Sequence, residues 1–148
     1  MSGVVEQIAI SPERDAVPAP VPSVRAAAGH GIEGEYHWSQ APDPGQSITL
    51  IAAEALEALR EETGIELSHE ASRRNVLTRG VDLDVLVGRR FTVGAAECEG
   101  VELCEPCNRL AKLTERGVLR GLVHRGGLRA DIVSGGEIAV GDAVTAAD

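Results

Sequence analysis

The chain has 148 residues and a formal net charge of -9, with 43% hydrophobic and only 2% aromatic residues. That length favours one domain with a real core, and the near-zero mean hydropathy of -0.02 fits a soluble globular protein built on Val, Leu, Ile and Ala. The acidic balance argues against non-specific binding to nucleic acid or to an anionic membrane, because both need a basic face.

No apolar run approaches the roughly 18 residues of a membrane span. The start, Met1-Ser-Gly-Val-Val-Glu-Gln7, has neither a basic n-region nor an apolar h-region, so a cytoplasmic location is expected. Three cysteines, an odd number, suit reduced thiols better than a disulfide framework.

In chain order, Val4 to Ile10 is β-branched with partial alternation and is closed by Pro12, which predicts a first strand. Alternate prolines from Val17 to Val24 exclude a helix and leave an edge strand or extended connection. Ala28 to Gly34 is glycine-rich and leads into Glu35-Tyr-His-Trp38, but no helix follows, so it is not a nucleotide-binding fingerprint. Ser47 to Leu50 predicts a short strand. Ala52 to Glu62 predicts the one long helix, with Ile51, Ala55, Leu56 and Leu59 on one face and Gly64 as its stop.

Ser68 to Gly80 is polar and arginine-rich before Val76-Leu77, and its His69 is expected at the surface. Asp82 to Val87 predicts a helical turn, and Phe91 to Val101 a strand that puts Cys98 in the core. The run Glu102-Leu-Cys-Glu-Pro-Cys-Asn-Arg-Leu-Ala-Lys112 predicts a helix opening at Pro106, the position where a missing N–H costs nothing. Cys107 then sits in a first helical turn, whose free N–H groups and dipole favour a thiolate, with Arg109 adding positive charge. Val118 to Val123 is an apolar run of ambiguous type. His124-Arg-Gly-Gly127 precedes a strand from Leu128 to Val133; its glycines allow either an anion-binding nest or a plain tight turn. Gly135-Gly136 is a hairpin signal, and Ile138 to Val144 is a last strand with a bulge or turn at Gly141-Asp142. Short strands between Gly and Pro turns, with one long helix, point to a mainly β barrel carrying peripheral helices.

Cys104 and Cys107 form a Cys-x-x-Cys pair that by itself suggests zinc or dithiol chemistry. Zinc needs two further ligands, which only Cys98 and a histidine could supply. The bunched arginines Arg73, Arg74, Arg79, Arg89 and Arg90 could form a local anion pocket or reflect a compositional bias.

The ordered set Arg73-Arg-Asn75, Gly80-Val-Asp-Leu83, Leu86-Val-Gly88, Phe91-Thr-Val-Gly94, Pro106-Cys107, His124-Arg-Gly-Gly-Leu128 and Gly136-Glu-Ile-Ala-Val-Gly-Asp142 resembles a MOSC domain, the module named for the C-terminal part of molybdenum cofactor sulfurases. Gly31-Ile-Glu-Gly-Glu-Tyr-His37 resembles that family's early Gly-x-x-Gly-Asp-Arg-His loop, with Glu35-Tyr36 in place of its acidic-basic pair. The likeness spans about residues 4 to 144, so residues 1 to 148 are expected to form one domain.

The resemblance implies a β-barrel that can hold the molybdenum cofactor, an anionic pterin with a dithiolene and a phosphate. It carries over Cys107 as the molybdenum ligand, or as a sulfur carrier in sulfurase-type members. Arg73, Asn75, His37, His124 and Arg125 follow as cofactor-binding candidates. Soft thiolates suit such metals, and guanidinium forks suit phosphate.

The chain shows no iron–sulfur cysteine spacing or flavin segment, so reduction of N-hydroxylated compounds would call for a separate electron-transfer reductase. Sulfur carriage would call instead for a pyridoxal-phosphate-dependent cysteine desulfurase in trans. A third expectation is a non-catalytic module that binds the cofactor through its arginines.

Overall fold

A computed structural model describes residues 2–104 and 125–147. Seven strands close into a barrel in the order β11-β7-β8-β9-β5-β6-β1, with β1 returning to β11. They are β1 (Ser2–Ile10), β5 (Ile48–Ala52), β6 (Val76–Arg79), β7 (Arg90–Val93), β8 (Ala96–Leu103), β9 (Leu128–Ser134) and β11 (Ala143–Ala146). The edge strand β2 (Ala19–Val21) adds onto β1, where Pro20 can sit without breaking a central ladder. A smaller sheet joins β10 (Gly136–Ala139), β3 (Ser23–Ala27) and β4 (Gly31–Ile32).

Within the barrel the neighbours are antiparallel except β5 and β6. A parallel pair needs a long crossover. That crossover holds helix α1 (Ala53–Thr63) and the short helix α2 (His69–Ser72). α1 ends as its sequence predicts: Gly64 takes φ 77°, and its N–H donates to the Arg60 carbonyl at 2.8 Å. Leu59 is buried, and with Leu67 it forms a satellite cluster that seats the helix.

β1 departs from strict alternation because of a bulge. The register shifts between Val5 and Gln7, so Val5 and Ile8, three residues apart, both point into the barrel. Aliphatic side chains such as Ile48, Leu50, Val76, Leu86, Leu128 and Val144 pack around Phe91, all fully buried in one core. Val24, Ala26, Ile32 and Ile138 from the small sheet join the same core, so the two sheets share one hydrophobic interior.

Three strand readings change. The stretch from Phe91 to Val101 is a hairpin rather than a single strand, turning at Gly94 with φ 58°. The last run divides at Gly141 into β10, which pairs with β3, and β11, which closes the barrel. Gly135-Gly136 makes no hairpin, since β10 pairs with β3 and not with β9; there the chain passes from one sheet to the other. A Cβ at Gly135 would lie 2.6 Å from the Ala26 carbonyl oxygen, and one at Gly136 would lie 2.7 Å from that of Ala95. Those glycines permit close crossing of backbones.

His69 is also not at the surface. It is 4% exposed within α2. The 3-10 turn Leu83–Leu86 matches the expected helical turn between Asp82 and Val87. It lies against β8, where Gly100 leaves room for the Leu86 carbonyl. Among the described residues, no helix is long and apolar enough to cross a membrane.

Candidate functional site

The site begins with a departure from ordinary backbone geometry at Arg73. It caps α2 in the left-handed region at φ 64°, the only non-glycine residue among those described to do so. This conformation costs roughly 1 kcal/mol for an L side chain. It redirects the chain sharply, so Arg73, Arg74 and Asn75 take different roles despite being adjacent.

Arg73 reaches outward to the first turn of the chain and donates to the Ala16 and Arg14 carbonyls at 3.0 and 2.5 Å. Asn75 is buried and pins three strands. Its Oδ1 accepts from the Thr49 N–H and hydroxyl, both at 3.1 Å, and its amide faces the Ala9 carbonyl. Both side chains therefore bind the protein's own backbone.

Arg74 points inward and is 8% exposed. Its Nε donates to the Gly126 carbonyl at 2.8 Å, one terminal nitrogen to Ser72 at 3.1 Å, and the other to Cys104 at 3.2 Å. A second bond joins the same two segments, from the Cys104 N–H to the Gly127 carbonyl at 2.7 Å. Since β8 ends at Leu103 and β9 begins at Leu128, this guanidinium latches the end of the barrel where the chain leaves β8 and re-enters β9. Gly127 is required there: its φ is 110°, and a Cβ would come within 2.0 Å of the Leu50 carbonyl oxygen.

Cys107 and His124, together with the helix expected from Pro106 and the Val118–Val123 run, lie outside the described residues. Cys104, three residues before Cys107, is buried at the latch. Cys98 is sealed in the core, and burial, aided by the Glu97 and Asp131 charges, pushes its thiol up to about 12. Without a metal it stays protonated at neutral pH, as a packing residue of the core. Among the described residues, no group of three or more His, Cys, Asp or Glu is placed to hold a metal.

Beside the latch is a cavity of about 590 Å³ against α1. Ala52, Ala55, Ala58, Val81 and Leu83 give it an apolar floor, and Arg125 and Gly127 reach it from the β9 side. Glu54, Asp82 and Asp84 also line it. Glu54 is partly committed, accepting the Gly80 N–H at 2.8 Å, and Asp82 accepts that of Asp84 at 3.1 Å. Arg125 forks onto Glu62, with one arm at 3.1 Å; that hydrogen bond holds the Glu62 carboxyl below its usual range. This pair is exposed, so Arg125 can exchange partners cheaply.

His37 stands apart from this cavity, in the loop after β4. Its Nδ1 lies 2.9 Å from Glu35 Oε1, and the other Glu35 oxygen accepts the Ser11 N–H at 2.8 Å. Of the expected cofactor contacts among the described residues, only Arg125 lines the cavity beside α1. Arg74 emerges as the residue organising this end, and no local signal separates it from Arg73 in the sequence, because the turn at Arg73 decides which guanidinium faces in.

The donor chemistry fits a molybdenum–pterin cofactor in part. Arg125 offers a fork to a phosphate at the rim, and Cys107, three residues after Cys104 in the sequence, is a soft thiol. The carboxylates on the α1 side favour the rim over the floor for any anionic group.

The comparisons agree with this architecture. The YuaD protein of Bacillus subtilis superposes with a TM-score of 0.87 at 17% identity, over 97% of this chain and 94% of that one. The YiiM proteins of Geobacillus stearothermophilus and Escherichia coli give 0.78 and 0.74 at 16% and 15% identity, covering all of this chain and 76% and 70% of theirs. At these identities the likeness is one of fold. No curated protein sequence matches the chain. The MOSC domain model matches residues 34–145, which takes in the early loop from Gly34 onward, the latch residues and most of the closing strand. This chain belongs to the MOSC domain family.

Proposed function

We propose that this protein binds the molybdenum cofactor at the latched end of its barrel, with Cys107 as the metal ligand and Arg125 as a phosphate contact. The carrying observation is the Arg74 guanidinium joining Cys104 to Gly126, which fixes the points where the Pro-Cys segment departs and returns. Cys107 follows Cys104 by three residues in the sequence, and Arg125 and Gly127, on the other side of the latch, line the cavity. The bound cofactor would supply two-electron redox chemistry at molybdenum. The chain's own part is to ligate, to orient the group with Arg125, and to shield one side with the apolar floor of α1 and Val81. Electrons would come from a separate reductase, in keeping with reduction of N-hydroxylated compounds. His37, Arg73 and Asn75 then act at a distance, by shaping the loops and strands around the site.

The test is metal and pterin analysis of protein purified from a host that makes the cofactor, wild type beside Cys107→Ser. Molybdenum and pterin should accompany the wild type, and molybdenum should fall at least about tenfold in the variant, since a thiolate ligand is lost. Metal-free wild-type protein from such a host would overturn the reading. A persulfide found on Cys107 of that metal-free protein would move the assignment to sulfur carriage.

A further inference from the structure

We propose that the loop between β4 and β5 forms a second binding site, for a small alkylated ammonium ion, from Trp38, Glu33 and Glu35. The chain has one tryptophan, and it stays 37% exposed while the one phenylalanine, Phe91, is fully buried. Its position is fixed. The His30 ring stacks on one face at 4.9 Å and 17°, and His30 Nδ1 is in turn held by the Ser39 carbonyl at 2.8 Å. The Trp38 backbone N–H donates to the Glu35 carbonyl at 3.0 Å, closing the loop beneath it. No second ring covers the indole among the described residues.

Trp38 lines a cavity of about 580 Å³ with Pro12, Glu33, Gly34 and Glu35. Among the described residues its lining carries two carboxylates and no cation. Glu35 is 5% exposed, so water screens its charge poorly on the cavity side. Its two oxygens are used by the Ser11 N–H and by His37, so it contributes field rather than lone pairs. The Glu33 carboxylate has no ion-pair partner among the described residues.

An indole face next to fixed negative charge attracts a cation whose own hydration is weak, which describes a methylated ammonium better than a metal ion or a bare amine. Tyr36, its ring tilted by 33° against that of His37 at 4.0 Å, stiffens the wall behind Glu35. This cavity shares no lining residue with the one beside α1. The proposal therefore stands whether or not the cofactor reading holds.

The single tryptophan reports on its own site. Titration with choline should shift Trp38 emission saturably. The neutral isostere, with carbon in place of the ammonium nitrogen, should produce no saturable shift. Glu33→Gln should weaken choline binding about threefold, as expected for one exposed charge. Trp38→Leu, followed by calorimetry and with its unfolding midpoint checked, should abolish it. Equal responses to choline and its neutral isostere would overturn the site, as would a response linear in choline. A response to phosphatidylcholine vesicles with none to free choline would overturn it as a small-molecule site.

Discussion

Two ends of this molecule bury an ionic side chain, and they do so with opposite charge and opposite reach. At the latch, Arg74 is satisfied by three backbone carbonyls drawn from segments up to 52 residues away. In the early loop, Glu35 is satisfied by one backbone N–H from the end of β1 and by a histidine two residues on. A planar fork with five donors can bind several chains together, whereas a carboxylate with two oxygens braces one loop. The difference sorts what each site can do. The latch guanidinium is consumed in holding the barrel end, and the exposed Arg125 is left to meet a ligand; the loop carboxylate keeps its charge facing a cavity.

The largest effect should come from breaking the latch. Arg74→Met leaves three buried carbonyls without donors, and chemical denaturation should show a loss of about 3 kcal/mol. Hydrogen exchange should rise first at the Cys104 N–H, which donates to Gly127 in the neighbouring rung. Glu35→Gln keeps the shape but removes the charge and one acceptor, so the loss should be smaller, about 1.5 kcal/mol, with opening confined to the loop. Similar global losses from both variants would erase the contrast between the two ends.

His69 sharpens the comparison because it is buried with neither treatment: both ring nitrogens lack a hydrogen-bond partner among the described residues. Desolvation holds its pKa below the usual 6.5, against weaker opposing effects from the Arg74 backbone and Glu70. In the window from 6.5 down to the folded-state pKa, the unfolded chain takes up a proton that the folded chain does not. Stability therefore falls as pH falls below 6.5. Glu70 shifts in the other sense of charge, lowered first by its own backbone N–H, and its contribution is lost only below its ordinary 4.5. Thermal melts at pH 7.5 and 5.5 separate the two. His69→Leu should gain about 1 kcal/mol at pH 7.5 and flatten the loss on acidification, leaving the Glu70 loss at lower pH in place.

Much of the barrel was legible because strands of this kind announce themselves through β-branched residues bounded by glycine and proline. The long helix and its Gly64 stop were legible for the same local reasons. What the sequence hid was which sheet each strand joins. Both sheets share a single core, so Ile138 and Val144 have the same pattern although one lies in the small sheet and the other in the barrel. Nor could Gly135 be told from a hairpin turn, since a glycine needed for a backbone crossing reads like one needed for a turn. At the site, Arg73 and Asn75 were selected as a motif. Their structural partners are the chain's own carbonyls and Thr49, and the guanidinium between them organises this end of the barrel. His69 looked polar and therefore external; only packing of α2 against the barrel puts it inside.

The most direct test of the latch as the organiser of the proposed cofactor site uses Arg74→Lys. This substitution keeps the charge but cannot bridge Cys104 and Gly126 with a planar fork. Protein from a cofactor-competent host, shown by circular dichroism to be folded, should carry several-fold less molybdenum per chain than the wild type. Full molybdenum content in a folded Arg74→Lys protein would contradict the account.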